Sequence, residues 1–240
     1  MRDPKKIFLA LACNSGLTRK ETSESLLTIL MNRRPGYEFV VQFGGGSDVG
    51  AVRNCLLHQF RTRTDCGLCL FIDCDEQFHV EHLTTLAGWF DKYPQIQIAG
   101  GLYPLKGVPV KWSFGYWSRE SDIPGLWDVF ELAGGFMGLR YDLVEEMIAR
   151  YPETAYRCEE YAFYGETCYD LAAMGVVTRE WRPGDTYARR VPEDFMLSLR
   201  ARELGHRIYV DPRLQIGHIG ALDYLSLLKP GEKLAAAAHF

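Results

Sequence analysis

The run Leu68-Cys69-Leu70-Phe71-Ile72, closed by Asp73-Cys74-Asp75, constrains this chain more than any other segment. Five apolar residues without helical spacing read as a strand covered on both faces, which places it in the middle of a sheet. Ligands in open α/β sheets bind outside the carboxyl ends of the strands, so two carboxylates there lie where a ligand would be. Their mutual repulsion is costly unless a cation or a substrate group neutralises it. Hard oxygen ligands next to phosphates suit Mg²⁺ or Mn²⁺. The plainer alternative is a strand that simply ends in polar residues.

The order of elements around this run supports an α/β class. Residues 7–12 read as a buried strand, and Thr18 with Glu21 forms a capping box for a helix continuing through 25–31. Residues 37–43 read as a strand ended by Gly44-Gly45-Gly46, after which Ser47 caps a helix with Val49, Val52, Leu56 and Phe60 at helical spacing. A helix carrying Val80, Leu83, Leu86 and Phe90 leads to a strand at 96–99. The alternation predicts a central, mostly parallel, Rossmann-like sheet flanked by helices. The second half is less regular. Residues 103–132 and 151–191 are rich in aromatics and turn formers, with a strand predicted at 132–139, helices at 142–150 and 193–204, and a late strand at 207–210. At 240 residues the chain suits one such domain, burying roughly 70–75% of its unfolded surface.

Composition excludes some partners. A formal charge of -4 argues against a non-specific nucleic-acid coat, though the arginines at 179, 182, 189 and 190 leave a local basic cluster. Seven cysteines at irregular spacing do not resemble a disulfide framework, so a reducing, cytoplasmic compartment is expected. No apolar run reaches the ~18 residues of a membrane span, so no membrane partner is expected. Residues 233–238 read as a tail without functional weight. An apolar strand ending in acids also fits a triphosphatase, but Gly44-Gly45-Gly46-Ser47-Asp48-Val49-Gly50 lacks the lysine of a phosphate loop and the spacing of a dinucleotide fingerprint.

Two later features add to the acidic pair. Glu193-Asp194 follows Pro192 at the start of a helix, where the macrodipole favours carboxylates. Gly217-His218-Ile219-Gly220 sets a histidine between glycines just after a strand. Taken in order with Val52-Arg53-Asn54 and Gly100-Gly101-Leu102-Tyr103-Pro104, these residues resemble the GT-A glycosyltransferases, especially short family-2-like members of phage and viral genomes. The resemblance spans about residues 5–222. It implies a nucleotide-sugar-binding half at about 5–102, an acceptor half at about 103–222 and a tail at 223–240.

The resemblance also implies roles. Asp75 would be the direct ligand of Mn²⁺ or Mg²⁺, with Asp73 near the ribose or sugar and also counted at the metal, and His218 completing the metal shell. Arg53 and Asn54 would lie by the donor, a UDP- or GDP-sugar. Asp194, with Glu193 as neighbour or substitute, would be the general base of a transfer written as inverting. Gly134 and Gly135 would allow close approach of the sugar, and tight strand pairing explains them too. Trp112, Trp117 and Trp181 would stack on the acceptor or pack in the core. The acceptor is open between a glycan, a protein, a small molecule and a modified DNA base. A nucleotidyltransferase and a non-catalytic nucleotide-sugar-binding protein are the alternatives outside this class.

Overall fold

Alternation along the first strand sets the layers of the fold. The computed structural model describes residues 2–14, 17–31, 36–107, 109–159, 163–182, 185–220 and 223, with the side chains of 116–120, 178–182 and 185 outside the described set. In β1 (Lys6–Asn14), Ile7, Leu9 and Leu11 point to one face and Phe8, Ala10 and Ala12 to the other, and all six are buried. The first set packs with α1 (Lys20–Met31) and α3 (Val80–Lys92). The second packs with α2 (Val49–Arg63), α4 (Tyr141–Arg150) and α5 (Glu193–Glu203). Cover on both faces is the reason β1 carries no polar face along residues 7–12.

The remaining strands of the first half are β2 (Glu38–Gly46), β3 (Leu68–Asp73), β4 (Glu76–Gln77) and β5 (Ile98–Leu102). The second half adds β6 (Phe114–Glu120), β7 (Trp127–Leu132), β8 (Phe136–Arg140), β9 (Ala155–Arg157), β10 (Thr167–Tyr169), β11 (Gly175–Arg182), β12 (Asp185–Val191), β13 (Ile208–Gln215) and β14 (Gly217–His218). Eight of these form the central sheet, in the order β2-β1-β3-β8-β5-β13-β7-β6. Pairing is parallel across β2, β1 and β3 and between β5 and β13. It is antiparallel where β8 inserts between β3 and β5, and where β7 and β6 extend the sheet. The class is α/β, with a mixed sheet that draws on both halves of the chain.

Several boundaries differ from the sequence reading. Gly44 to Gly46 continue β2 instead of ending it, paired with Ala12, Cys13 and Asn14. At Gly44 a Cβ would lie 2.8 Å from Val52 Cγ1, so α2 packs against bare backbone there. The cap of α2 is Asp48, whose side chain accepts from Ala51 N at 3.1 Å, and not Ser47. Thr18 does not cap α1, because Arg19 N–H bonds the Cys74 carbonyl at 2.8 Å and the helix starts only at Lys20. The strand expected at 132–139 is two strands, β7 and β8, broken at 133–135 and set in non-adjacent places of the sheet.

Candidate active site

The carboxyl ends of β1 and β3 open onto a cavity of about 620 Å³ whose wall includes Arg53, Asp73, Asp75, Lys106, Asp194 and His218. Parallel pairing of Ala12 with Asp73 puts the acidic turn at the sheet's rim. The short ladder between β14 and β4 then sets His218 opposite Glu76, and Ile219 N–H bonds the Asp75 carbonyl at 2.8 Å. A residue 143 positions later in the chain is thereby fixed beside Asp75.

His218 is buried, and its Nδ1 lies 2.7 Å from the Pro104 carbonyl. A carbonyl only accepts, so Nδ1 carries the hydrogen and Nε2 faces Asp75 Oδ1 at 3.5 Å. A cation between the two would be shared by the Nε2 lone pair and the carboxylate. The other Asp75 oxygen pairs with the Lys106 ammonium. Burial alone would raise the Asp75 pKa, but the hydrogen bonds and charges of His218 and Lys106 hold it down at about 2. The pair fits two protein ligands of a hard divalent cation that takes its other ligands from phosphate and water. Among the described residues, no group of three His, Cys, Asp or Glu side chains surrounds a common point as a closed metal cage would.

Asp73 is turned away from this pair. Arg53, buried to 1% exposure, donates from one terminal nitrogen to Asp73 Oδ1 at 2.9 Å and from the other to Asp194 Oδ1 at 2.7 Å. Burial would lower its pKa, and the charges of Asp73 and Asp194 more than offset that, so the guanidinium stays charged. Its Nε is buried without a partner. Asp194 sits in the first turn of α5 with Glu193, and its side chain is 40% exposed to the cavity. One guanidinium thus joins the strand-end acid to the helix-start acid.

The glycines expected near the sugar make room for side chains of the site itself. A Cβ on Gly134 would lie 3.0 Å from Arg53 Cζ, and one on Gly135 2.5 Å from Glu76 Oε1 and 2.7 Å from the Tyr103 hydroxyl. Asn54 is buried; its Nδ2 bonds Asp170 Oδ1 at 2.5 Å and its Oδ1 accepts from Ala172 N at 2.9 Å, which pins the 170–172 segment to α2. It does not line the main cavity. Trp112 is a core residue at 3% exposure. Trp117 and Trp181 lie on β6 and β11, with side chains outside the described set.

Sequence reading missed four residues here. Lys106 sits in an irregular segment where nothing marks it as a partner of Asp75. Glu76 is fully buried with both carboxyl oxygens unpartnered, and burial plus the charges of Asp73 and Asp75 raise its pKa well above the ordinary value. Its place directly after Asp75 was the signal available. Cys13 and Cys74, each one residue past a registered strand pair, form a disulfide with Cα atoms 5.2 Å apart. The sequence reading expected no disulfide framework, and a single link 61 residues apart leaves no spacing pattern to read. Replacing both by alanine is expected to cost about 2–4 kcal/mol of unfolding free energy, read as a lower urea midpoint. Equal midpoints would mean that the bond contributes nothing.

No protein-family model matches the chain, and no curated protein matches it. Among solved structures it is similar to A197 from STIV, at 16% identity over 92% of this chain and 86% of that one, with a TM-score of 0.49. It is similar to S. aureus TarS 1-349 at 15% identity over 85% and 57% of the two chains, TM-score 0.43. A third is GalNAc-T7 with UDP, GalNAc and Mn²⁺, at 11% identity over 91% and 44%, TM-score 0.45. The chain thus spans about half the length of the last two. With TM-scores below 0.5, the chemistry of the cavity rests on its own residues. Among the described residues no helix is long and apolar enough to cross a membrane.

Proposed function

We propose that this chain is a GT-A-type glycosyltransferase that moves a sugar from a nucleotide-sugar donor to an acceptor hydroxyl with the help of Mn²⁺ or Mg²⁺. The observation that carries the reading is the meeting, at one cavity, of the Asp75–His218 pair with an Asp194 carboxylate held by Arg53. Asp75 and His218 would hold a divalent cation, which would supply electrophilic stabilisation of the departing nucleoside diphosphate. Lys106 adds a positive charge on the same side, where the diphosphate's negative charge grows. Asp194 takes the proton of the acceptor hydroxyl, and the Arg53 bond to Oδ1 fixes its rotamer so that the exposed part of the carboxylate faces the incoming group. Asp73 anchors the other side of Arg53 and so positions the base indirectly.

Thermal unfolding with UDP-, GDP-, CDP- and dTDP-sugars, each with Mn²⁺, Mg²⁺ or EDTA, tests the reading. A donor at about 100 times its dissociation constant adds about 2.7 kcal/mol, a rise of roughly 5–10 °C for a chain of this size. The expected result is a shift with one nucleotide family that needs the metal and is absent in Asp75→Ala. No shift with any donor overturns the reading.

A further inference from the structure

A second cavity of about 730 Å³ adjoins the first, the two sharing Val49 and Glu193 as walls. It continues into a third of about 430 Å³ through Tyr156, Asp170, Ala173 and Met174. Together they make a trough that runs from the residue beside Asp194, over the 170–174 segment and the β9 strand, to Glu153 and Arg200. Asn54 builds its floor by holding Asp170 and Ala172 against α2. Among the described residues the trough shares Val49 and Glu193 with the cavity of Asp75 and His218 and no others.

We propose that this trough binds the acceptor, and that the acceptor is an uncharged oligosaccharide. The inference rests on the transferase reading and assigns the substrate class that the reading leaves open. Three properties of the walls carry it. The trough reaches Glu193, so a hydroxyl at its inner end arrives beside Asp194. Among the described residues its charged lining is Asp48, Glu153, Asp170 and Glu193 against Arg200, and the Arg200 guanidinium is tied to the Asp170 carbonyl at 2.9 Å. Carboxylates accept hydrogen bonds from sugar hydroxyls but repel a phosphate backbone, whose binding depends on cationic contacts. Finally, Tyr156 at 37% exposure and Met174 at 47% offer a ring and an apolar side chain to the apolar face of a sugar.

Two of the basic residues that would favour a nucleic acid fall within the described side chains, while those of Arg179 and Arg182 lie outside them. Arg189 pairs with the buried Glu131, and Arg190 Nε lies 2.9 Å from Met174 Sδ. The described residues of the trough present an acidic surface, so an uncharged chain of hydroxyls fits where a polyanion does not.

Saturation-transfer NMR on the whole chain tests this with hexasaccharides of glucose, galactose, mannose and N-acetylglucosamine, and with (dT)12 as the polyanion. At least one hexasaccharide is expected to bind at millimolar concentration, and (dT)12 is not. Tyr156→Ala is expected to weaken that binding about tenfold or more through loss of the ring contact. An unchanged melting temperature and donor-induced shift then report that the variant is folded. Binding of (dT)12 with steep salt dependence overturns the proposal in favour of a nucleic-acid acceptor. Silence from every hexasaccharide overturns it, as does hexasaccharide binding indifferent to Tyr156→Ala. Because the readout needs no donor, failure of the transferase reading shows separately, as hexasaccharide binding without any donor-induced shift.

Discussion

Arg53→Met is expected to be the most destabilising single change at this site, at about 3–5 kcal/mol and a fall in melting temperature of about 6–20 °C. The guanidinium is 1% exposed and stands between two carboxylates, with Asp73 at 2.9 Å and Asp194 at 2.7 Å. Removing it leaves both acids without their cation, next to Asp75 and the unpartnered Glu76 carboxyl. Most of the loss comes from the Asp73 leg, since the Asp73 side chain is 22% exposed against 40% for Asp194, where water replaces part of the lost bond. Methionine fills much of the volume against Gly134, so the effect reports charge more than a cavity. A double-mutant cycle with Asp73→Asn checks the cause: the pair should couple by about 1 kcal/mol or more, because removing the acid relieves what removing the arginine exposes. Additive losses, or an Arg53→Met protein as stable as the parent, would sink this account.

How much of this was legible in the sequence depends on the range over which each feature is determined. The β3 run and its closing acids were readable because burial on both faces removes alternation locally and leaves a pure apolar string. Glu193 and Asp194 were readable as a helix start, and His218 as a polar residue stranded between glycines. Strand direction was not readable. Phe136 to Arg140 is as apolar as the strands on either side, and nothing local says that β8 runs against β3 and β5. The Gly44-Gly45-Gly46 run misled because glycine propensity favours a break, whereas here the absence of side chains lets α2 approach the sheet. The same long-range origin hid the Cys13–Cys74 bridge, the Lys106–Asp75 pair and the capture of Asp73 by Arg53. Asn54, placed by resemblance at the donor, supports the trough wall instead, through two bonds to residues more than 110 positions away.

Asp194→Asn separates the proposed base from everything else in the cavity. General-base catalysis of this kind contributes about 10²–10⁴-fold, so turnover of the donor found in the thermal screen should fall by that factor. Asparagine keeps an oxygen for Arg53, so the 2.7 Å anchor survives as a neutral hydrogen bond and the fold loses little. The donor-induced thermal shift should remain, because the Asp75–His218 pair keeps its own partners, Lys106 and the Pro104 carbonyl. Glu193→Gln is the control: Glu193 shares the first turn of α5 but has no bond to Arg53, and its replacement should reduce turnover by about tenfold at most. Loss of the thermal shift in Asp194→Asn would assign Asp194 to donor binding. A larger loss in Glu193→Gln than in Asp194→Asn would move the base one residue along the helix, and Arg53 would then hold Asp194 for structure alone.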